Sequence, residues 1–213
     1  MSVIGTARTA ELLDPFGIRL NSDQTGRLLV YLDLLLKWNS KINLVGRSSG
    51  EECVTRHFGE SLCLSRAMGL EGSLLDIGSG AGFPGLALKI IYPDLETTLL
   101  EPVTKKRAFL KEVIRICQFE HVGVLGQRLE DFSSQLAENK YNYATSRAVG
   151  GFANLIENAA ACLKPKGRLC LWLGHQDASA IVLSRTPFKW QKPVLIPLSL
   201  RREILIGELQ QSP

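Results

Sequence analysis

The ten residues Asp76-Ile-Gly-Ser-Gly-Ala-Gly-Phe-Pro-Gly85 follow the apolar pair Leu74-Leu75, and no other stretch of the chain restricts the fold so strongly. A buried strand that runs through a glycine-rich turn into a helix opens a doubly wound α/β sheet, whose ligands sit outside the carboxyl ends of the strands. Gly78 and Gly80 let the backbone approach such a ligand closely. The same turn cradles either a dinucleotide pyrophosphate or the methionine half of S-adenosylmethionine. Glu101 ends the second expected strand, 21 positions beyond Gly80, where a carboxylate accepts hydrogen bonds from both hydroxyls of a ribose. Both kinds of site share that feature. Asp76 separates them: at the mouth of the pocket a carboxylate repels a pyrophosphate but favours an ammonium and a sulfonium. Pro84, expected at the first helical position, removes one of the N–H groups that a phosphate-binding helix end offers. The balance favours S-adenosylmethionine. A dinucleotide site stays open as an alternative, as does a plain tight turn in which Asp76 only caps the helix.

The texture of the chain changes near residue 70. Before it, Leu28, Leu32, Leu35, Leu36 and Asn39 recur at helical spacing behind Ser22 or Thr25 as a cap. A second helical pattern holds Val54, His57, Phe58, Ser61, Leu62 and Ser65. After it, strands expected at Ser73–Ile77, Thr97–Glu101, Val122–Leu125, Tyr143–Ser146 and Arg168–Leu173 alternate with helices at Pro84–Tyr92, Lys105–Cys117 and Phe152–Leu163. That order predicts a mostly parallel sheet with helices on both faces. Gln191–Ile196 and Glu203–Leu209 are joined by too few residues for a parallel crossover, so they should form an antiparallel hairpin. The expected organisation is a helical extension over 1–70 packed on an α/β domain over 71–213.

With 213 residues, 45% of them hydrophobic, the chain can bury a substantial core. No apolar run approaches the roughly 18 residues of a membrane span, and the amino terminus lacks the apolar core of a secretion signal. A soluble, cytoplasmic protein is expected, with no membrane partner. Five cysteines without a C-x-x-C pair predict reduced core thiols and no metal site. A net charge of +4 permits a nucleic-acid partner without demanding one.

The acceptor of a methyl group is narrowed by what is missing. Amino-group methyltransferases of bases carry an Asn/Asp-Pro-Pro-aromatic tetrapeptide after the fourth strand, where this chain has Thr145-Ser146-Arg147-Ala148. Methylation at pyrimidine C5 needs a cysteine nucleophile, and no cysteine ends a motif-bearing strand. A free lone pair such as guanine N7 needs no deprotonation, so positioning and charge stabilisation suffice and no catalytic residue is expected. Arg47, Arg56, His57, Lys105, Lys106 and Arg128, with Arg147, are candidates for one phosphate-binding face. Each has a plainer reading as a solvated or partly buried side chain.

Taken together, "YLDLLLKWNSKINLV" (31–45), "RHFGESL" (56–62), "LLDIGSGAGFPGLALKIIYPDLETTLLE" (74–101), "KKRAFLKEV" (105–113), "QRLEDF" (127–132) and "YATSRAV" (143–149) resemble the ribosomal RNA small subunit methyltransferase G family, also called glucose-inhibited division protein B. The resemblance implies a class I S-adenosylmethionine-dependent methyltransferase fold. It also implies methyl transfer to N7 of a guanine in 16S rRNA of the small ribosomal subunit, with S-adenosylhomocysteine as product. By motif position it implies cofactor contacts at Gly78, Phe83, Glu101, Leu129, Glu130 and Arg147, to which the reading of the loop adds Asp76 and Gly80. Four positions depart from the family's usual residues: Glu101-Pro102 replaces Asp-Ser, Leu173 replaces a lysine, and Glu60 replaces an aspartate. Other readings of the residues are a small-molecule O- or N-methyltransferase with the extension as a lid, and a cofactor-binding ribosome-assembly factor without turnover. A monomer is expected.

Overall fold

In a computed structural model, residues 4–138, 140–147 and 151–210 are described. The amino-terminal part is helical: α1 (Thr6–Leu13), α2 (Ser22–Asn39), α3 (Gly50–Cys53) and α4 (Glu60–Leu62), with a π-helical turn at Val54–Gly59 joining the last two. Asn21 caps α2 instead of Ser22 or Thr25. Its side chain accepts from the Gln24 N–H, and the Gln24 side chain accepts from the Asn21 N–H, so two otherwise orphaned donors are satisfied reciprocally.

Strands β1 (Ser73–Ile77), β2 (Glu96–Leu100), β3 (Val122–Leu125), β4 (Tyr141–Arg147) and β5 (Leu163–Gly174) follow, interleaved with α5 (Gly85–Ile91), α6 (Thr104–Ile116), α7 (Leu129–Gln135) and α8 (Phe152–Cys162). The chain closes with α9 (His175–Leu183), β6 (Phe188–Trp190), β7 (Val194–Leu195) and β8 (Arg202–Leu209). The sheet order is β3-β2-β1-β4-β5-β8-β6, with β7 also on β8. The first five strands are parallel, and β8 runs antiparallel to β5, β6 and β7. The expected antiparallel pairing at the end is therefore present, between β7 and β8. The sequence reading left α7 and α9 unassigned, because their apolar residues are too few to draw a helical stripe.

Alternation along the strands divides the core into two layers, since neighbouring residues of a strand face opposite sides of the sheet. Leu74, Leu99, Cys170, Trp172, Ile204 and Ile206 point to one face. There they meet Leu28, Tyr31, Leu32 and Leu35 of α2, Leu62, and the buried residues of α5 and α6. Leu75, Leu100, Leu169, Leu171, Leu173 and Leu205 point to the other face, against α7, α8 and α9. The helical extension therefore shares one hydrophobic layer with the sheet. Trp172 Nε1–H donates to the Glu60 carbonyl at 2.8 Å, tying the extension to β5. Leu173 is a buried core residue. All five cysteines are free and buried. Among the described residues no helix is long and apolar enough to cross a membrane, and no group of three His, Cys, Asp or Glu side chains gathers in a way that could hold a metal.

Candidate functional site

The glycine turn leaves the carboxyl end of β1 and sits beside the ends of β2 and β4. Gly78, Gly80 and Gly82 take φ of 69, 56 and 87°, the left-handed region that only glycine adopts freely. The turn is closed by Gly82 N–H to the Ser79 carbonyl at 2.7 Å and by Ser79 N–H to the Leu100 carbonyl at 3.0 Å. A methyl group on Gly82 would collide with the Tyr31 hydroxyl oxygen and stand 2.9 Å from Leu86 Cδ1. On Gly80 it would meet nothing nearer than the Gly78 carbonyl at 3.8 Å. One glycine therefore admits the helical extension, and the other faces open space.

Glu101 lies 4% exposed just beyond β2. One carboxylate oxygen accepts from Gly80 N–H and the other from Val103 N–H, both at 2.8 Å. Each oxygen keeps a further lone pair for the hydroxyl of a ligand. Beside this bridge opens a cleft of about 160 Å³, lined by Ile77, Gly78, Leu100, Pro102, Gln127, Arg128, Leu129, Glu130, Gly151 and Leu155. Ligand sites for whole drug-sized molecules run to about 300–1,000 Å³, so this cleft suits one end of a nucleoside-bearing cofactor. Leu129 and Leu155 belong to the buried layer under it and supply apolar walls.

The predicted residues fall into two groups. Gly78, Leu129, Glu130 and Arg128 line the cleft, and Glu101, between its lining residues Leu100 and Pro102, bonds Gly80. Phe83, His57 and Arg147 meet instead on the side of β4 and the extension. Phe83 is 6% exposed and stacks with Tyr31 (5.5 Å between centroids) and with His57 (5.3 Å). Phe58 meets both Tyr31 and Phe83 edge-on. Arg147, at the end of β4, donates to the Arg56 carbonyl at 2.6 Å, the His57 carbonyl at 3.3 Å and Glu60 Oε2 at 3.2 Å. Arg202 takes the other Glu60 oxygen at 2.6 Å. Burial pushes the Glu60 carboxyl up and the two arginines pull it down. Burial also lowers Arg147, to about 10.

Asp76 is corrected by its surroundings. The sequence placed its carboxylate at the pocket mouth, but the side chain is wholly buried beneath the loop. Oδ1 accepts from the Thr145 hydroxyl at 2.8 Å and Oδ2 from Gly85 N–H at 3.2 Å, at the first turn of α5. Burial raises its pKa to about 6, opposed by these hydrogen bonds. A carboxylate at the last-but-one residue of a buried central strand turns into the protein, where it fastens β1 to β4 and α5. Pro84 is likewise the cap of α5, with the helix beginning at Gly85.

Of the basic candidates, Lys105 and Lys106 stand in the first turn of α6 and Arg128 caps α7, both helix starts lying at the carboxyl edge of the sheet. Arg56 and His57 belong to the π-helical turn that Arg147 grips. Arg47 is exposed in the loop after α2, which Asn39 fastens by donating to the Gly46 carbonyl at 2.6 Å. Thr145, Glu60, Gln127 and Leu155 escaped the sequence reading of the site. Only Thr145 and Glu60 had a signal, lying inside the "YATSRAV" and "RHFGESL" motifs.

The chain is similar to proteins of known kind over most of its length. The family described as rRNA small subunit methyltransferase G matches residues 24–200. A ribosomal RNA small subunit methyltransferase G of Alkaliphilus metalliredigens is 33% identical over 209 residues, covering 92% of this chain and 87% of the relative. That of Chloroflexus aggregans is 38% identical over 177 residues, covering 82% and 74%. Among solved structures, a SAM dependent methyltransferase from Aquifex aeolicus aligns with a TM-score of 0.57 at 12% identity, over 70% of this chain and 89% of that one. It shows the fold. The chain belongs to the rRNA small subunit methyltransferase G family and is an S-adenosylmethionine-dependent methyltransferase of small-subunit ribosomal RNA.

Proposed function

We propose that the protein methylates N7 of one guanine of 16S rRNA and holds its cofactor with Gly78, Gly80, Glu101, Leu129 and Glu130. The observation that carries the cofactor assignment is the bridge from Gly80 N–H through the Glu101 carboxylate to Val103 N–H, beside a cleft of mixed polar and apolar lining. It pre-orients a carboxylate with two lone pairs free for vicinal ribose hydroxyls, and Leu129 offers an apolar wall for adenine. Gly80, open where a Cβ would stand, leaves room for the ligand's chain. S-adenosylmethionine supplies, when bound, a methyl group on a sulfonium leaving group, which the N7 lone pair takes with no proton to remove.

Asp76 and Glu60 are engaged in bonds that hold the loop and the junction, Asp76 with Thr145 and Glu60 with two arginines. They suit a reaction that runs on positioning without a general base. Lys105, Lys106, Arg128 and Arg56 supply positive charge for phosphates at the sheet's carboxyl edge, so RNA affinity should fall steeply with salt. A monomer and a cytoplasmic location fit this task.

The test uses labelled methyl transfer into small subunits from cells lacking the gene. N7-methylguanosine carries a fixed positive charge that makes its ring and glycosidic bond labile, so borohydride and aniline should cut the labelled RNA at one position. Label in RNA that resists cleavage rules out N7, and absence of label from RNA shifts the assignment to a small-molecule acceptor.

A further inference from the structure

His57 is the one described residue with a buried side-chain nitrogen or oxygen that has no hydrogen-bond partner: its Nε2. Leaving a buried donor or acceptor unpaired costs roughly 1–3 kcal/mol, so such atoms are uncommon and ask for an explanation. Its protonation follows from its neighbours. Arg147 Nη2 lies 3.3 Å from Nδ1, and a guanidinium can only donate. Nδ1 therefore presents its lone pair, which leaves the ring proton on Nε2. The ring stays neutral, because burial first, and then Arg147, Arg56 and Arg202, hold its pKa down to about 3. Nε2–H is a fixed donor without an acceptor.

Its position says which kind of acceptor fits. The ring stacks on Phe83 of the glycine turn and touches Arg147 at the end of β4, at the seam away from the cleft that Leu129 walls. A cofactor that ran from that cleft across the glycine turn would bring its far end to this seam, beside Phe83 and the end of β4. Guanine presents N7 beside O6, both acceptors, whereas adenine presents N7 beside an amino donor.

We propose that His57 selects the base: Nε2–H donates to O6 of the guanine whose N7 is methylated, and opposes the amino group of adenine. The inference rests on the N7 assignment above. His57 is a positioning and specificity residue and exchanges no proton. Nε2 is buried, so the proposal requires the base to displace what covers it.

The experiment uses the full chain and small subunits whose 16S rRNA carries guanine, inosine or 2-aminopurine at the methylated position. Inosine keeps O6 and N7, while 2-aminopurine keeps N7 and lacks O6. The wild type should methylate inosine within about threefold of guanine and 2-aminopurine about 10- to 100-fold more slowly. His57→Phe, which keeps a ring against Phe83, should lose a similar factor on guanine and no longer distinguish the three bases. His57→Gln, which can place an N–H near the same point, should recover part of the loss. Calorimetry should find affinity for S-adenosylhomocysteine changed by less than about threefold in both variants. A parallel fall in that affinity overturns the inference and assigns Nε2–H to the cofactor's carboxylate. Equal rates of the wild type on guanine and 2-aminopurine overturn it without any variant, even should His57→Phe fail to fold. A wild type that leaves guanine N7 unmethylated overturns the proposed function first, and that result is visible in the guanine arm alone.

Discussion

The cleft beside Glu101 and the seam around Arg147 lie on either side of one glycine turn, yet they are built in different ways. The cleft is made by consecutive strand ends and helix starts: β1 into the turn, Glu101 after β2, Leu129 and Glu130 after β3. Its key bond, Gly80 to Glu101, spans 21 positions. The seam joins β4 to the helical extension across 87 to 91 positions, through Glu60, His57 and Arg56. The proposed cofactor half-site is thus carried by the repeating β-turn-α unit, while the proposed acceptor side depends on an element foreign to that unit. A change at the seam should damage acceptor handling more than cofactor binding, and a change at the cleft the reverse.

The largest effect should come from the glycine turn between them. Gly82→Val puts a branched side chain at φ 87° against Tyr31 and Leu86, so it should cost about 3 kcal/mol or more and lower the melting temperature by roughly 6–12 °C. Gly80→Ala, two residues away, meets open space and carries only the left-handed backbone cost of about 1–2 kcal/mol. Cofactor affinity should nonetheless fall at least tenfold in Gly80→Ala, because its methyl enters the ligand's space. Equal melting points for the two variants would erase the asymmetry of the turn.

Arg147→Met sharpens the comparison from the other side. It leaves the buried Glu60 with Arg202 as its remaining ion-pair partner, at a cost of about 2–3 kcal/mol, and frees the His57 ring from its fixed orientation. Methylation of small subunits should drop at least about tenfold, while S-adenosylhomocysteine binding changes by less than about threefold. Loss of cofactor binding in step with activity would put the guanidinium on the cofactor, the contact that the motif alone implies.

The smallest net effect in the wild type is that of pH, where two titrations oppose each other. Asp76 has a folded pKa of about 6 against an ordinary 3.8, so the folded state binds its proton more readily than the unfolded state does. Its contribution to stability is fully present below pH 3.8 and is lost as pH rises through 6, a swing on the order of 3 kcal/mol. His57 works in the opposite sense: with a folded pKa near 3 against 6.5, it favours the fold above pH 6.5 and ceases to do so as pH falls to 3. The two largely cancel between pH 4 and 6, so the wild type should show a shallow profile there. Asp76→Asn keeps an acceptor for Gly85 N–H and removes the charge. Denaturant titration should then show stability rising with pH across that window, and no gain in steepness would mean that the carboxylate is solvated.

The succession of strands along the chain, their parallel run and the place of the glycine turn were legible because strand alternation and glycine spacing are local and periodic. Leu74 and Leu75 already point to opposite layers by their adjacency, and Glu101 was found by its distance from Gly80. The family motifs named Phe83 and Arg147 as well, but no sequence pattern states what a side chain touches 90 positions away. Only the tertiary structure decided that Asp76 turns inward to Thr145 and Gly85, that Phe83 stacks between elements of the extension and the turn, and that Arg147 holds His57 with one nitrogen unpaired. The physical reason is burial. A carboxylate or imidazole removed from water must find partners within the packed interior, and those partners come from whichever segments the hydrophobic layers bring together.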